Sequence, residues 1–239
     1  MAIRAVLWDI DDTIFDYAAA DRAGMRRHLR DEGLTTAFGD VEEALRRWRE
    51  ATVLHWARFS AGETTWEGQI RDRVRTFLGA PLGDDEADAW FERYLAHYEG
   101  AWELFPDTVP VLDVLAADYR HAVLSNSSLL NQERKLRALG VRDRFEAVLC
   151  AADIGVSKPA AAAFHAACDA LGLAPGEVAY VGDQPDIDAR GAVEAGLLGI
   201  WLDRLDIGGR PELTRITELR QLPALLHGDS RFGAPDTFG

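Results

Sequence analysis

Apolar runs of four or five residues recur along this chain at unequal intervals, each bounded by polar or glycine-containing segments. Residues 5–8, 121–124, 147–150, 178–181 and 198–202 show little polar alternation, as strands buried on both faces require. Between the later runs the hydrophobic period becomes helical, over residues 129–139, 160–171 and 186–195. Gly140, Gly172 and Gly196 fall where helix C-termini are expected. Strands alternating with helices of this length predict βαβ units, a parallel sheet and an α/β fold.

The segment from Tyr17 to Trp102 breaks that alternation, because its apolar positions follow the helical period throughout. Four helices are expected there, over residues 18–31, 41–59, 65–78 and 84–99. The chain therefore divides into a sheet-containing core, residues 1–16 and 104–228, and an all-helical insertion, residues 17–103, expected to fold over the strand ends. Five of the seven tryptophans, Trp48, Trp56, Trp66, Trp90 and Trp102, lie in this insertion. A small bundle needs large side chains to fill its interior, and one or two of these rings could instead line a substrate slot. Pro106-Asp107 opens a further helix over 108–117, and hinges are expected near Asp16–Tyr17 and Leu104–Phe105. Residues 229–239 are polar and Gly-rich without periodicity, the pattern of a disordered tail.

Charge narrows the partners. A net charge of −14 and a sequence pI near 4.8 argue against nucleic acid, and arginines are interleaved with acids as in Arg71-Asp72-Arg73. Cys150 and Cys168 lie in no metal or redox spacing and are expected as buried free thiols. No signal-peptide pattern opens the chain, and no apolar segment approaches the ~18 residues of a membrane span. A cytoplasmic protein acting on a small molecule, with no membrane and no nucleic-acid partner, is the expectation.

Four polar clusters follow in order: Asp9-Ile10-Asp11-Asp12-Thr13, Ser125-Asn126, Ser157-Lys158-Pro159, and Gly182-Asp183 with Asp188. Three of them directly follow predicted strands, and ligands of open α/β sheets sit outside the carboxyl ends of strands. Asp9 and Asp11, two residues apart, suit a nucleophile and an acid, although an Asx-type turn explains the pentapeptide alone. Asp183 with Asp9 suits a hard oxygen site for Mg2+, whereas acids at 186 and 188 are also favoured by a helix N-terminus. Ser125 and Asn126 before a helix suit a phosphate cradle or, equally, a helix cap. Lys158 can balance the carboxylates and hold a phosphate oxygen.

Taken together, these clusters resemble the motifs of the haloacid dehalogenase-like superfamily, in its branch with a helical cap after the first motif. Leu7 to Asp16 resembles motif one, Leu124-Ser125-Asn126 motif two, Gly155 to Pro159 motif three, and Val181 to Ala192 motif four. The resemblance implies a Rossmann-like, doubly wound parallel sheet core with an inserted all-helical cap. It further implies Asp9 as nucleophile forming an aspartyl-phosphate, Asp11 as general acid and then base, and Thr13 as its positioning partner. Ser125, beside Asn126, would bind the phosphoryl group, and Lys158 would stabilise it. Mg2+ would be held by Asp9, the Asp11 carbonyl and Asp183, with Asp188 in or just behind the ligand shell.

The implied activity is a Mg2+-dependent phosphatase for a small soluble phosphomonoester, a nucleotide or sugar phosphate. In that case Arg46, Arg47 or Arg58 of the cap could meet a second anionic group. A phosphomutase would use the same two acids but must shield its intermediate from water. Dehalogenases of the superfamily attack carbon and typically lack the second motif-one aspartate, present here as Asp11. A non-catalytic binding protein predicts a lost nucleophile, lysine or metal acid, and none is lost. One departure stands out: Asp12 occupies a position that is commonly glycine.

Overall fold

The computed structural model describes residues 2–228, so the tail expected to be disordered lies outside the described residues. In chain order the elements are strand β1 (Ala5–Trp8), helices α1 (Tyr17–Asp31), α2 (Val41–Ser60), α3 (Trp66–Leu78), α4 (Asp84–Glu99) and α5 (Thr108–Leu115). Then follow β2 (Arg120–Ser125), α6 (Leu129–Ala138), β3 (Ala147–Cys150), α7 (Ala151–Ile154), α8 (Ala161–Leu171) and β4 (Val178–Gly182). A π-helical turn, Pro185–Arg190, leads into α9 (Gly191–Glu194), β5 (Leu198–Leu202), β6 (Thr214–Ile216) and α10 (Leu222–Leu226).

All six strands are parallel, in the order β3-β2-β1-β4-β5-β6. This is the doubly wound order, with the chain reversing its winding direction at β1. Every residue of β1 is fully buried, because both faces are covered by packed side chains. Period-two alternation sorts the faces: Ala5 and Leu7, Ala122 and Leu124, and Val178 and Tyr180 share one cluster with Phe164 and Ala167 of α8. On the opposite face the Trp8 indole N–H donates to His121 Nδ1 at 3.0 Å, giving a buried polar pair its partner.

Two glycines set how closely the segment after β4 lies on the sheet. A Cβ on Gly182 would sit 2.3 Å from Asp188 Cγ, and one on Gly199 would sit 2.1 Å from the Ala189 carbonyl oxygen. Neither position accepts a side chain unless the π-helical turn moves.

Contacts divide the chain after Asp16 and after Trp102. The helical unit, Tyr17–Trp102, has its own core, in which Trp48, Phe77, Trp90 and Tyr94 form an aromatic network at 4.8–6.5 Å between ring centroids. One carboxylate is buried there: Asp21 Oδ1 accepts from the Trp48 indole N–H at 2.9 Å and from the Tyr94 hydroxyl at 2.5 Å. Trp48 and Trp90 are core residues, whereas Trp56 and Trp66 are half-exposed and pack on each other with Phe59. Arg46 and Arg47 are engaged by Glu43 and Glu50, and Arg58 by Asp72 and Glu63.

Candidate active site

The strand ends deliver most of the chemistry. β1 runs into Asp9, whose backbone N–H extends the ladder to the Val181 carbonyl at 2.9 Å. The chain then reverses in one turn, with the N–H groups of Thr13, Ile14 and Phe15 all donating to the Ile10 carbonyl. Asp12 takes the left-handed conformation in that turn, φ +58°. Glycine reaches it at no steric cost, and aspartate is among the few other residues that visit it.

The turn is clamped from outside. Arg204 donates to the Thr13 carbonyl at 2.8 Å and pairs with buried Asp107 at 3.0 Å, while the Thr108 hydroxyl donates to the Ile14 carbonyl at 2.8 Å. The Thr13 hydroxyl, fully buried, donates to Asp9 Oδ2 at 3.3 Å.

Lys158 is the hub of the cluster. Its ammonium donates to Asp9 Oδ1 at 2.7 Å, Asp188 Oδ1 at 2.7 Å and the Tyr180 hydroxyl at 2.6 Å. Tyr180 in turn donates to the Leu124 carbonyl at 3.0 Å. Asp188 comes from the π-helical turn, an irregularity often found at functional positions, and its other oxygen accepts from Gln184 N–H at 2.9 Å. Asn126 ties the lysine's loop to the end of β2. Its amide donates to the Lys158 carbonyl at 2.9 Å and accepts from the Lys158 N–H at 2.8 Å. The N-terminus of α6 is served from elsewhere, Asp153 accepting from Leu129 N–H at 2.8 Å.

Burial sets the electrostatics. Loss of water drives the Asp9 carboxyl up to about 7; Lys158 opposes the shift, and Asp188 and Asp11 add to it. Asp183 is driven to about 9, again by burial first and then by Asp9, Asp188 and Asp12. For Lys158, burial alone would lower its affinity for a proton, but Asp188 and Asp9 outweigh it and hold the ammonium above its ordinary range.

Such strain among carboxylates is what a cation relieves. Oxygens of Asp9, Asp183 and Asp188 lie within 4.8 Å of one another, and Asp183 Oδ1 is buried with no hydrogen-bond donor. An acceptor-only oxygen set of this kind fits a hard cation such as Mg2+. The Asp11 side chain is turned to a different set of partners on α6.

Those partners were not among the residues singled out in the sequence. Gln132 Nε2 donates to Asp11 Oδ2 at 2.8 Å and to Ser125 Oγ at 3.1 Å, and the Lys135 ammonium pairs with Asp11 Oδ1. Tyr180 carries no motif signal either, because it sits inside an apolar strand run. Composition did carry one signal. Lys135 and Lys158 are the two lysines of the whole chain, every other basic side chain being arginine apart from histidine, and both are buried at this site.

The family model for haloacid dehalogenase-like hydrolases matches residues 3–196. A phosphoserine phosphatase of Thermus thermophilus is 33% identical, with 88% of this chain and 91% of the relative covered. The N-acylneuraminate-9-phosphatase of Mus musculus is 27% identical, with 94% of each covered. In fold, the chain is similar to the magnesium-bound structure of Bacillus subtilis YfnB, with TM-score 0.78, 21% identity, and 95% of this chain and 99% of that one covered.

Proposed function

The chain belongs to the haloacid dehalogenase-like hydrolase family, and from that premise we propose that it is a Mg2+-dependent phosphohydrolase acting on a small soluble phosphomonoester, a nucleotide or sugar phosphate, through an aspartyl-phosphate intermediate. The observation that carries this reading is the convergence of Asp9, Lys158, Asp183 and Asp188 at the ends of neighbouring parallel strands, in a cluster that lacks enough positive charge of its own. The names of the phosphatase relatives support the reaction class.

In this reading a carboxylate oxygen of Asp9 attacks phosphorus, and the bond from phosphorus to the ester oxygen breaks. Asp11 gives that oxygen its proton. Asp11 then takes a proton from water as the water attacks the aspartyl-phosphate, and inorganic phosphate leaves with Asp9 restored. The Thr13 hydroxyl fixes the rotamer of Asp9. Ser125 Oγ accepts from Gln132 and so directs its own proton to a phosphoryl oxygen. Lys158 balances charge on Asp9 and on the transferring group, and Asn126 and Tyr180 hold it there. Asp9, the Asp11 carbonyl and Asp183 would hold Mg2+, with Asp188 in or just behind the ligand shell, and the ion would supply charge to neutralise phosphoryl oxygens. Positioning and charge neutralisation then provide most of the rate.

Phosphate release from p-nitrophenyl phosphate, measured with Mg2+ and with chelator, tests the proposal. We expect release that requires the metal, is lost by roughly a thousandfold or more in Asp9→Asn, and leaves a trappable phosphorylated protein in the wild type alone. Metal-independent turnover, or full activity in Asp9→Asn, would overturn it.

A further inference from the structure

We propose that the helical unit carries a carboxylate-binding site of its own, anchored on one unpaired edge of the Arg73 guanidinium.

Three arginines alternate along α3, and the middle one differs from its neighbours. Arg71 pairs with Asp84 and Asp88, and Arg75 with Asp72 and Asp84. Arg73 lies on the opposite face of the helix and is 8% exposed. It is the one buried arginine among the described residues, and it makes no ion pair with any of them. Arg46, Arg47 and Arg58, which the sequence suggested for a second anionic group, are all engaged by acids. A buried charge without a counter-ion is costly, and leucine or methionine would fill the same space without that cost.

The donors left over share a direction. Nη1 donates to Thr52 Oγ1 at a long 3.4 Å, and the Thr52 hydroxyl gives its own hydrogen to the Trp48 carbonyl at 2.9 Å. Nε is buried with no acceptor, and Nη2, which keeps some access to solvent, meets none among the described residues. Nε and Nη2 form one edge of the guanidinium, where two parallel N–H bonds match the two oxygens of a carboxylate. The rings of Trp48 and Phe91, with centroids 4.8 and 4.9 Å from Cζ, hold the guanidinium by their faces and supply no oxygen.

Two further buried groups near this edge are also unsatisfied. His55, one turn beyond Thr52 on α2 and within reach of the Arg73 charge, bonds Thr76 through Nε2 at 2.7 Å and leaves Nδ1 buried without a partner. Gln69, one turn before Arg73 on α3, is buried with its side-chain amide unengaged among the described residues. Buried polar groups are ordinarily satisfied, so three on adjacent turns of two packed helices point to a ligand rather than to packing. A single guanidinium edge matches a monoanion with two coplanar oxygens, whereas a phosphate dianion would leave charge uncompensated in a buried place.

The carboxylate is either a free acid or part of the phosphorylated substrate, and only the second source rests on the function proposed above. The first measurement reads Arg73 itself. In the proton–nitrogen correlation spectrum of the full chain, the Arg73 Nε–H peak is assigned from its contacts with the Trp48 ring. Acetate or glycerate is then added, against chloride at equal ionic strength. A saturable downfield shift under the carboxylates alone is the result expected for a free acid. The second measurement compares kcat/KM for 3-phosphoglycerate and glycerol 3-phosphate, which differ in the carboxylate. If the substrate brings the carboxylate, the ratio should favour the acid in the wild type and fall by roughly tenfold or more in Arg73→Lys, which keeps the charge but loses the fork.

Either result supports the site and names its source. No saturable shift together with an unchanged ratio would overturn it. Should Arg73→Lys fail to fold, or the wild type release no phosphate from any ester, the titration decides alone. The second of those outcomes would sink the phosphohydrolase reading without touching the Arg73 peak.

Discussion

Two buried acidic regions of this molecule solve the same physical problem in opposite ways. In the helical unit a single carboxylate, Asp21, is surrounded by neutral donors from Trp48 and Tyr94 and by a close-packed aromatic network. At the strand ends Asp9, Asp183 and Asp188 crowd one another around one ammonium, and an oxygen of Asp183 has no donor. The first region is arranged for stability, since each polar atom named is matched and the rings fill space. The second stores unfavourable charge that a ligand can relieve. The contrast teaches that burial of an acid is by itself uninformative, and that what surrounds it separates a structural group from a reactive one.

The largest effect should come from the strand ends. Asp9→Asn, expected to lower phosphate release by roughly a thousandfold or more, should leave the thermal transition unchanged or raise it, because it removes one of several repelling charges. A marked drop in the transition would erase the distinction between the two regions. In the helical unit Trp48→Ala should destabilise by about 3–5 kcal/mol by chemical denaturation, the usual cost of emptying an aromatic core site. A loss under ~1 kcal/mol would show that the aromatic network is not that unit's core.

Acid should then distinguish the regions by their histidines. Burial lowers His28 of the helical unit to about 4, and burial with nearby Arg144 does the same for His121 of the sheet. Between pH 6.5 and 4 the unfolded chain binds protons that the folded chain refuses. Stability is therefore whole above pH 6.5 and is lost as pH falls toward 4, by up to about 3 kcal/mol for each ring. His28→Phe should flatten the share of this acid limb due to the helical unit, measured by denaturation at stepped pH. The smallest effect is expected at Asp12→Gly. Relief of the left-handed backbone and the looser unfolded chain nearly cancel, so stability should shift by less than ~1 kcal/mol. A larger loss would show the Asp12 side chain holding the turn.

Much of the sheet was readable because buried parallel strands are continuous apolar runs, and five of the six strands stand where such runs lie. β6 was not, since Thr214-Arg215-Ile216 is too short to show any period. The pattern over 186–195 is a π-helical turn followed by one helical turn, rather than a single α-helix, because Gly182 and Gly199 let the backbone press onto the sheet around Asp188. At the site, Asp9, Asp183 and Lys158 follow strands or open turns and so carried a positional signal. Gln132 and Lys135 sit mid-helix, where a polar residue ordinarily means solvent, and only the scarcity of lysine set one of them apart.

The central place of β1 has a consequence for the making of the protein. Of the six strands among the described residues it is made first, yet its two partners, β2 and β4, follow only after the whole helical unit has been made. On the ribosome β1 must wait with both hydrogen-bonding edges open, while the helices between it and β2 already have neighbours close in sequence. Asp9 therefore emerges early but can reach its lysine only when the nascent chain has passed Lys158, so the cluster at the strand ends can close only late in synthesis.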